Sequence, residues 1–409
     1  MKLPTILLVG TLDTKGHEVD YVRRRIEEFG GRAVVLDSGI LGAPPDDCRV
    51  DVTREAVAEA AGLPLDEVRA IGTRGEAVAI MIRGVGAIAL DLWQKGKLDG
   101  VLCLGGAEGA LLGAAAMHAL PVGVPKLLVS PSASGRRPFA PFVGTKDVLV
   151  MHSVIDILGL NPIARSVFDN AAAAVVGMAR NAGTAVEGLS GRSVGVTMLG
   201  QTTPGVMRVR TVLEEAGYEA VIFHANGVGG VAMEELIEEH ALVGVIDYTL
   251  SELANTVKDG IHAVGPSRLT VAGAHCLPQV VVPGCCDFFN QGPLETLLEE
   301  YRARKTYYHN PVATLVRLIP EEMVELGTMI ASRLNGSKGP VHVVAPTGGF
   351  SLSDSPGGHL WDPEGDEALI ATLERELNER IPVERVDADV NDPAFAELVV
   401  ARYLALLDR

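Results

Sequence analysis

Glycine, hydroxyl and charged residues cluster where apolar, strand-like runs end, first at Gly10-Thr11-Leu12-Asp13-Thr14-Lys15. Asp37-Ser38-Gly39, Gly105-Gly106-Ala107-Glu108-Gly109 and Ser130-Pro131-Ser132 repeat the pattern in the same half of the chain. Such residues ahead of a helix suit anion binding, because unsatisfied N–H groups and the helix dipole favour phosphate there. Gly10, Thr11, Asp13, Thr14, Lys15, Asp37, Gly105, Gly106 and Ser130 are therefore the candidate ligand-binding positions of this half. Glycine after a strand is also ordinary turn chemistry, so the convergence of several loops counts for more than any one. None is a P-loop, since the second glycine and its spacing are wrong, and Gly-Gly-Ala-Glu-Gly is not a dinucleotide fingerprint. The usual NTPase and dehydrogenase explanations fall away.

The second half offers a different set. Gly227, Gly229 and Gly230 follow His224 and lead to Glu234, which faces either a cleft or solvent. His224 reads as a structural hydrogen-bonding residue before it reads as a base. Asp247 and Asp287 each end an apolar run, where a carboxylate serves metal, ribose or base chemistry, or caps the next helix. His309-Asn310-Pro311 is either a turn or a polar pair aimed at substrate. Residues 341–366, VHVVAPTGGFSLSDSPGGHLWDPEGD, read as a strand, a glycine-rich loop over 345–362, and a helix opened by Asp362 as cap and Pro363. A connection of that length is usually functional or disordered, and Phe350 and Trp361 argue for a packed one. Gly348, Gly349 and Ser351 join the ligand-binding candidates, with Ser351 and Asp354 as the loop's polar tip. Asp287, His309 and Asp354 are the candidates for acid, base or metal work, and the metal requirement stays open.

Apolar runs alternating with helical patterns of ten or more residues position these loops, from Thr5–Val9 through Val341–Val344. The alternation implies an α/β chain with two doubly wound, Rossmann-like parallel-sheet lobes and an interlobe cleft. Gly183 to Gly191 is small, polar and unpatterned, which places the lobes at 1–184 and 185–409. Hydrophobic residues make up 47% and aromatics 4% of the 409 residues, so the cores are aliphatic, as parallel sheets prefer. A net charge of −17 without a basic stripe excludes nucleic acid as a partner. No apolar run approaches the roughly 18 residues of a membrane span, and the first residues read as a strand rather than a signal peptide. Five cysteines without a CxxC pair fit a reduced, cytoplasmic protein with neither a disulfide framework nor a zinc site.

Several stretches occur in one order from end to end: GTLDTKGHE, MHSVIDILGLNPI, VIFHANGVGGVAMEELI, VIDYTLSELA, YYHNPVATLVR, the 341–366 loop and VNDPAFAE. Together they resemble the uncharacterised-protein family related to the ATP-binding N-terminal domain of a plant tobamovirus-resistance protein. The resemblance implies a two-lobed α/β homodimer that binds ATP, with or without Mg2+. Carried over, its motif positions are Gly10, Thr11, Asp13, Thr14, Lys15, Gly227, Gly229, Gly230, Glu234, Asp247, His309, Asn310, Gly348, Gly349, Ser351, Asp354 and Asp392. Ala107, Glu108 and Ala110 depart from a glycine- and serine-rich loop, Pro131 replaces a threonine, and Asp389 a histidine. Glu108 beside a phosphate would repel it unless a metal intervenes. Three functions compete: a nucleotide- or phosphometabolite-binding protein, an enzyme on a small acidic or sugar-derived metabolite in the cleft, and an oligomeric interaction protein.

Overall fold

The computed structural model describes residues 3–133, 140–182 and 191–407. Two compact units emerge, Met1–Gly188 and Leu189–Arg409. The expected linker falls outside the described residues except for Gly191, as do residues 134–138 of the loop after Ser130.

In lobe one, β1 (Thr5–Gly10), β2 (Arg32–Asp37), β3 (Gly100–Leu104), β4 (Lys126–Ser130) and β5 (Leu149–His152) form a parallel sheet ordered β2-β1-β3-β4-β5. Every residue of β1, β3 and β4 is buried. Helices cover both faces, so these strands read as unbroken apolar runs instead of alternating ones. Helices Leu12–Glu28 and Pro162–Asn181 bring Val19, Val22, Phe168 and Val175 against Ile6, Leu8 and Leu102. Helices Arg74–Gln94 and Ala107–His118 bring Met81, Val85 and Leu112 against Leu7, Val9 and Val101 on the other face. The long helix starts where expected, with the Asn161 side chain accepting from the N–H groups of Ile163 and Ala164, both at 3.0 Å, and Pro162 first inside. From β1 the chain steps one way to β2, then crosses back to lay β3 on the other side. The strand order therefore reverses between β1 and β3, and ligands of such sheets bind at the carboxyl edge there.

Lobe two holds β6 (Ser193–Met198), β7 (Glu219–His224), β8 (Gly244–Thr249), β9 (Gln279–Gly284), β10 (Phe288–Gln291), β11 (Thr306–Asn310), β12 (Ala313–Arg317), β13 (Val341–Pro346) and β14 (Val383–Val386). Six of them form a parallel sheet ordered β14-β13-β9-β8-β6-β7, whose order reverses between β6 and β8. The other three make an antiparallel sheet, β10-β12-β11, that the sequence reading lacks. Its strands are only four or five residues long, too short for alternation to stand out. His309 and Asn310 end β11, and Pro311 opens the turn of the β11–β12 hairpin, where Asn310 Oδ1 accepts from Val312 N–H at 2.9 Å. Helices Thr203–Glu215 and Pro393–Leu407 cover one face of the large sheet, Pro320–Asn335 and Pro363–Glu376 the other. No helix among the described residues is long and apolar enough to cross a membrane.

Candidate functional site

At the lobe-one reversal point lies a cavity of about 240 Å³. Thr11, Asp13, Thr14 and Lys15 line it from the turn after β1, and Gly106 to Gly109 from the turn after β3. Gly39, Ile40 and Leu41 after β2, with Arg74 from a helix start, close the remaining wall. Two helices, Leu12–Glu28 and Ala107–His118, begin on this wall, and neither has a side-chain cap. Neither cap residue supplies a side-chain acceptor to its first-turn N–H groups, although Leu12 N–H is already taken by Asp37 Oδ1. Thr11 and Thr14 bring their hydroxyls to 3.2 Å of one another at the first of these ends.

The other lobe-one candidates support this wall from behind. Asp37 is buried, and its Oδ1 accepts from Leu12 N–H at 3.1 Å and Gly39 N–H at 2.9 Å, tying the turns after β1 and β2 together. Its pKa is raised by that burial. Gly10 and Gly105 are buried beneath the cavity lining. Ser130 is buried at the end of β4, where its Oγ accepts from Ser132 N–H at 3.1 Å. Lys15 lines the cavity but donates its ammonium to the Ile157 carbonyl.

Charge on the wall is balanced. Arg74 clamps Glu108 through two hydrogen bonds of 2.6 and 3.0 Å, so the expected repulsion between Glu108 and a phosphate is answered by the protein itself. No sequence signal points to Arg74, which comes from 34 residues upstream of its partner. Ile40 and Leu41 were missed likewise.

A second cavity of about 180 Å³ adjoins the first and shares Ile40, Leu41 and Arg74 with it. Ile71, Gly72 and Ala77 make its far wall mainly apolar.

The lobe-two glycine loop is not an open cradle. Glu252, fully buried, accepts from the N–H groups of Gly227 and Gly230, each at 3.1 Å. A carboxylate of the chain itself occupies the place where a phosphate would sit. A Cβ at Gly230 would collide with Glu252 and with the Arg268 guanidinium, and one at Gly229 with the His224 backbone. Glu234, expected in a cleft or solvent, is instead buried, accepting from Leu269 N–H at 2.5 Å. Asp247 does not cap a helix: it holds Arg268.

Residues 347–362 pack Phe350 and Leu360 into the lobe, and Ser351, Ser353 and Asp354 point inward with them. Ser351 and Asp354 are 1% and 0% exposed, so they are not the tip; Leu352 is exposed there instead. Ser351 Oγ donates to Asp287 Oδ2 at 2.9 Å, and Asp354 Oδ2 accepts from Phe350 N–H at 3.0 Å. Gly349 has φ +117°, and the Asp354 carbonyl stands where its Cβ would be, so only glycine closes this bend. Gly348 packs on the backbone of Ala388 and Asp389. Asp362 stands at the N-cap position, but its side chain makes no cap bond and turns toward Lys305 and Arg317, at 3.7 and 3.9 Å. Asp287, Asp354 and Asp366 cluster around Arg317, which donates to Asp366 Oδ1 at 2.5 Å. Burial, then the Asp354 charge, pushes Asp287 up to about 8 and Asp366 to about 9. Asp354 is raised by burial too. His309 is not part of this cluster and lines a separate cavity. The three catalytic candidates therefore do not meet in one site.

Among the described residues, His17, Asp47 and Cys48 bring one potential metal-ligand atom each within 4.8 Å of one another. No linear motif marks this grouping, which joins the first helix of lobe one to the loop after β2.

Models of the N-terminal and C-terminal domains of the Uncharacterised protein family UPF0261 match residues 4–184 and 192–407. The chain belongs to this family. A UPF0261 protein of Clostridium tetani is 36% identical over 405 residues, 99% of each chain. One of Rhizobium meliloti is 38% identical over 400 residues, 97% of this chain and 98% of that one. The ToMV resistance protein Tm-1 of Solanum lycopersicum is 32% identical over 431 aligned positions, covering 98% of this chain and 56% of that protein.

Proposed function

We propose that lobe one binds a phosphate-bearing metabolite of nucleotide type, with ATP as the reference ligand. The observation that carries this reading is the paired cavity: uncapped helix starts on one side, apolar Ile71 and Ala77 on the other, and Ile40 and Leu41 between. Phosphates take the first half, where N–H groups and the Thr11 and Thr14 hydroxyls donate. A base takes the second. The ATP binding that the family resemblance implies points the same way.

Magnesium fits this wall through Asp13, a carboxylate oxygen donor of the kind that shares Mg2+ with substrate phosphates. When bound, the cation offsets phosphate charge that Lys15, tied to Ile157, does not reach. Asp13 Oδ2 accepts from Gly42 N–H at 3.2 Å, which holds the carboxylate on the wall.

Arg74→Ala leaves the Glu108 carboxylate unpaired beside the phosphate positions. ATP affinity should fall by about tenfold or more, roughly 1.4 kcal/mol. Adding Glu108→Gln should restore most of the loss. Thermal-shift titration with ATP and magnesium checks both variants. Unchanged affinity in Arg74→Ala would remove the clamp from the site.

A further inference from the structure

We propose that lobe two carries a second, independent site: a donor-lined pocket that takes a small organic oxyanion, a carboxylate or a phosphate ester. The pocket has a volume of about 270 Å³ and lies where β6 and β7 end, against the antiparallel sheet. Three imidazoles line it, His224, His262 and His309, together with three carboxamides, Gln201, Asn290 and Asn310. Among the described residues, no carboxylate, lysine or arginine lines it.

The carboxamides are what give the pocket a sign, because the fold consumes the oxygen of each one. Gln201 Oε1 accepts from both the N–H and the hydroxyl of Ser353, at 3.0 Å each. Asn310 Oδ1 accepts from Val312 N–H at 2.9 Å. Asn290 Oδ1 accepts from Asn255 Nδ2 at 3.2 Å. Asn255 cannot be turned the other way, because its own oxygen accepts from Asn290 N–H at 2.8 Å. Each side chain is thereby fixed with its NH2 group left over. Gln201 and Asn290 are 8% and 4% exposed, so these donors are held in place rather than draped on the surface.

His262 adds a further demand. Its Nδ1 is buried and has no hydrogen-bond partner, a state native proteins rarely leave unanswered. Burial, then the neighbouring His224, lowers its pKa to about 4, so it meets a ligand as a neutral ring. Leu199, Phe288 and Leu315 supply an apolar floor suited to a carbon skeleton. Amide and imidazole N–H groups over such a floor complement an oxygen-rich anion, whereas a cation would find no counter-charge. The inward-facing loop at 347–362 gains a purpose from this, since Ser353 orients Gln201.

The test is calorimetry on the full chain with citrate, glucose 6-phosphate, inorganic phosphate and, as an uncharged control, glucose. At least one organic oxyanion should bind at millimolar concentration or below, and glucose should not. Citrate binding without glucose 6-phosphate binding assigns a carboxylate ligand, and the reverse a phosphate ester. Asn310→Asp keeps the Val312 bond and replaces an NH2 donor by a charged oxygen, so affinity should drop at least tenfold. Asn290→Asp should act likewise, and Thr11→Asp, in lobe one, should leave this binding unchanged. The proposal is overturned if no oxyanion binds, if glucose binds equally, or if Asn310→Asp and Asn290→Asp bind as the wild type does. Loss of the signal in Thr11→Asp would also overturn it, by moving the ligand to lobe one.

Discussion

Replacing Arg268 with methionine should destabilise lobe two by about 3–5 kcal/mol, the usual result of removing one partner from a buried ion network. Arg268 is fully buried and joins Asp247, Glu252 and Glu234. Its Nε donates to Glu252 Oε2 at 2.7 Å and its Nη1 to Asp247 Oδ2 at 3.1 Å. Without the guanidinium, Asp247 and Glu252 remain as carboxylates out of reach of water. Glu252 also anchors Gly227 and Gly230, so the strain of its lost counter-charge reaches the glycine loop. Glu234→Gln should cost far less, under about 1 kcal/mol. Burial pushes Glu234 up to about 7, so its carboxyl is already half protonated at neutral pH, and glutamine keeps the acceptor for Leu269 N–H. The two tryptophans separate the lobes, Trp93 in the first and Trp361 in the second. Urea unfolding read from Trp361 in a Trp93→Phe background measures the effect. A loss below about 1 kcal/mol for Arg268→Met would contradict the network's role.

Asp366→Asn should do the opposite at alkaline pH, raising stability by about 2–4 kcal/mol at pH 9 while changing it little at pH 5. Asp366 titrates near 9 in the folded chain because burial and the charges of Asp354 and Asp287 oppose its ionisation. Unfolded, it titrates near 4. The folded state therefore holds more protons between these values. Its contribution is full below about 4 and is lost as pH climbs toward 9. Asp366 Oδ2 and Asp287 Oδ1 are buried without a hydrogen-bond partner, so nothing at those atoms favours the ionised form. Asparagine mimics the protonated form and keeps an oxygen for Arg317. The same Trp361 unfolding experiment, run at both pH values, checks the difference. An Asp366→Asn variant less stable than wild type at pH 9 would show that the carboxyl is ionised and paired there.

Much of the architecture could be read from the chain because parallel strands covered on both faces leave unbroken apolar runs. Thr5–Gly10, Gly100–Leu104 and Val341–Pro346 are such runs, and each ends in the polar turn that marks a sheet's carboxyl edge. The lobe-one lining from Thr11 to Lys15 and at Gly106 follows from that rule, because the turns after β1 and β3 must meet where strand order reverses. What the chain concealed depends on distant partners. Glycines 227 and 230 look like a phosphate loop until Glu252, 22 residues from Gly230, fills it. Ser351 and Asp354 look like a solvent-facing tip until Asp287, 64 residues from Ser351, accepts the Ser351 hydroxyl and the Arg317 charge favours Asp354 inside. Arg74 and His262 sit in no motif at all, and only folding gives them neighbours.

Thr11→Asp offers the most direct test of the lobe-one site. An aspartate at that N-cap position favours the helix and should keep or slightly raise the melting temperature. It also puts a carboxylate where the phosphates are to bind. Calorimetry with ATP and magnesium should show saturable binding to the wild type and none to Thr11→Asp at the same concentrations. Equal binding to a folded Thr11→Asp variant, or no heat from the wild type at millimolar ATP, would contradict it.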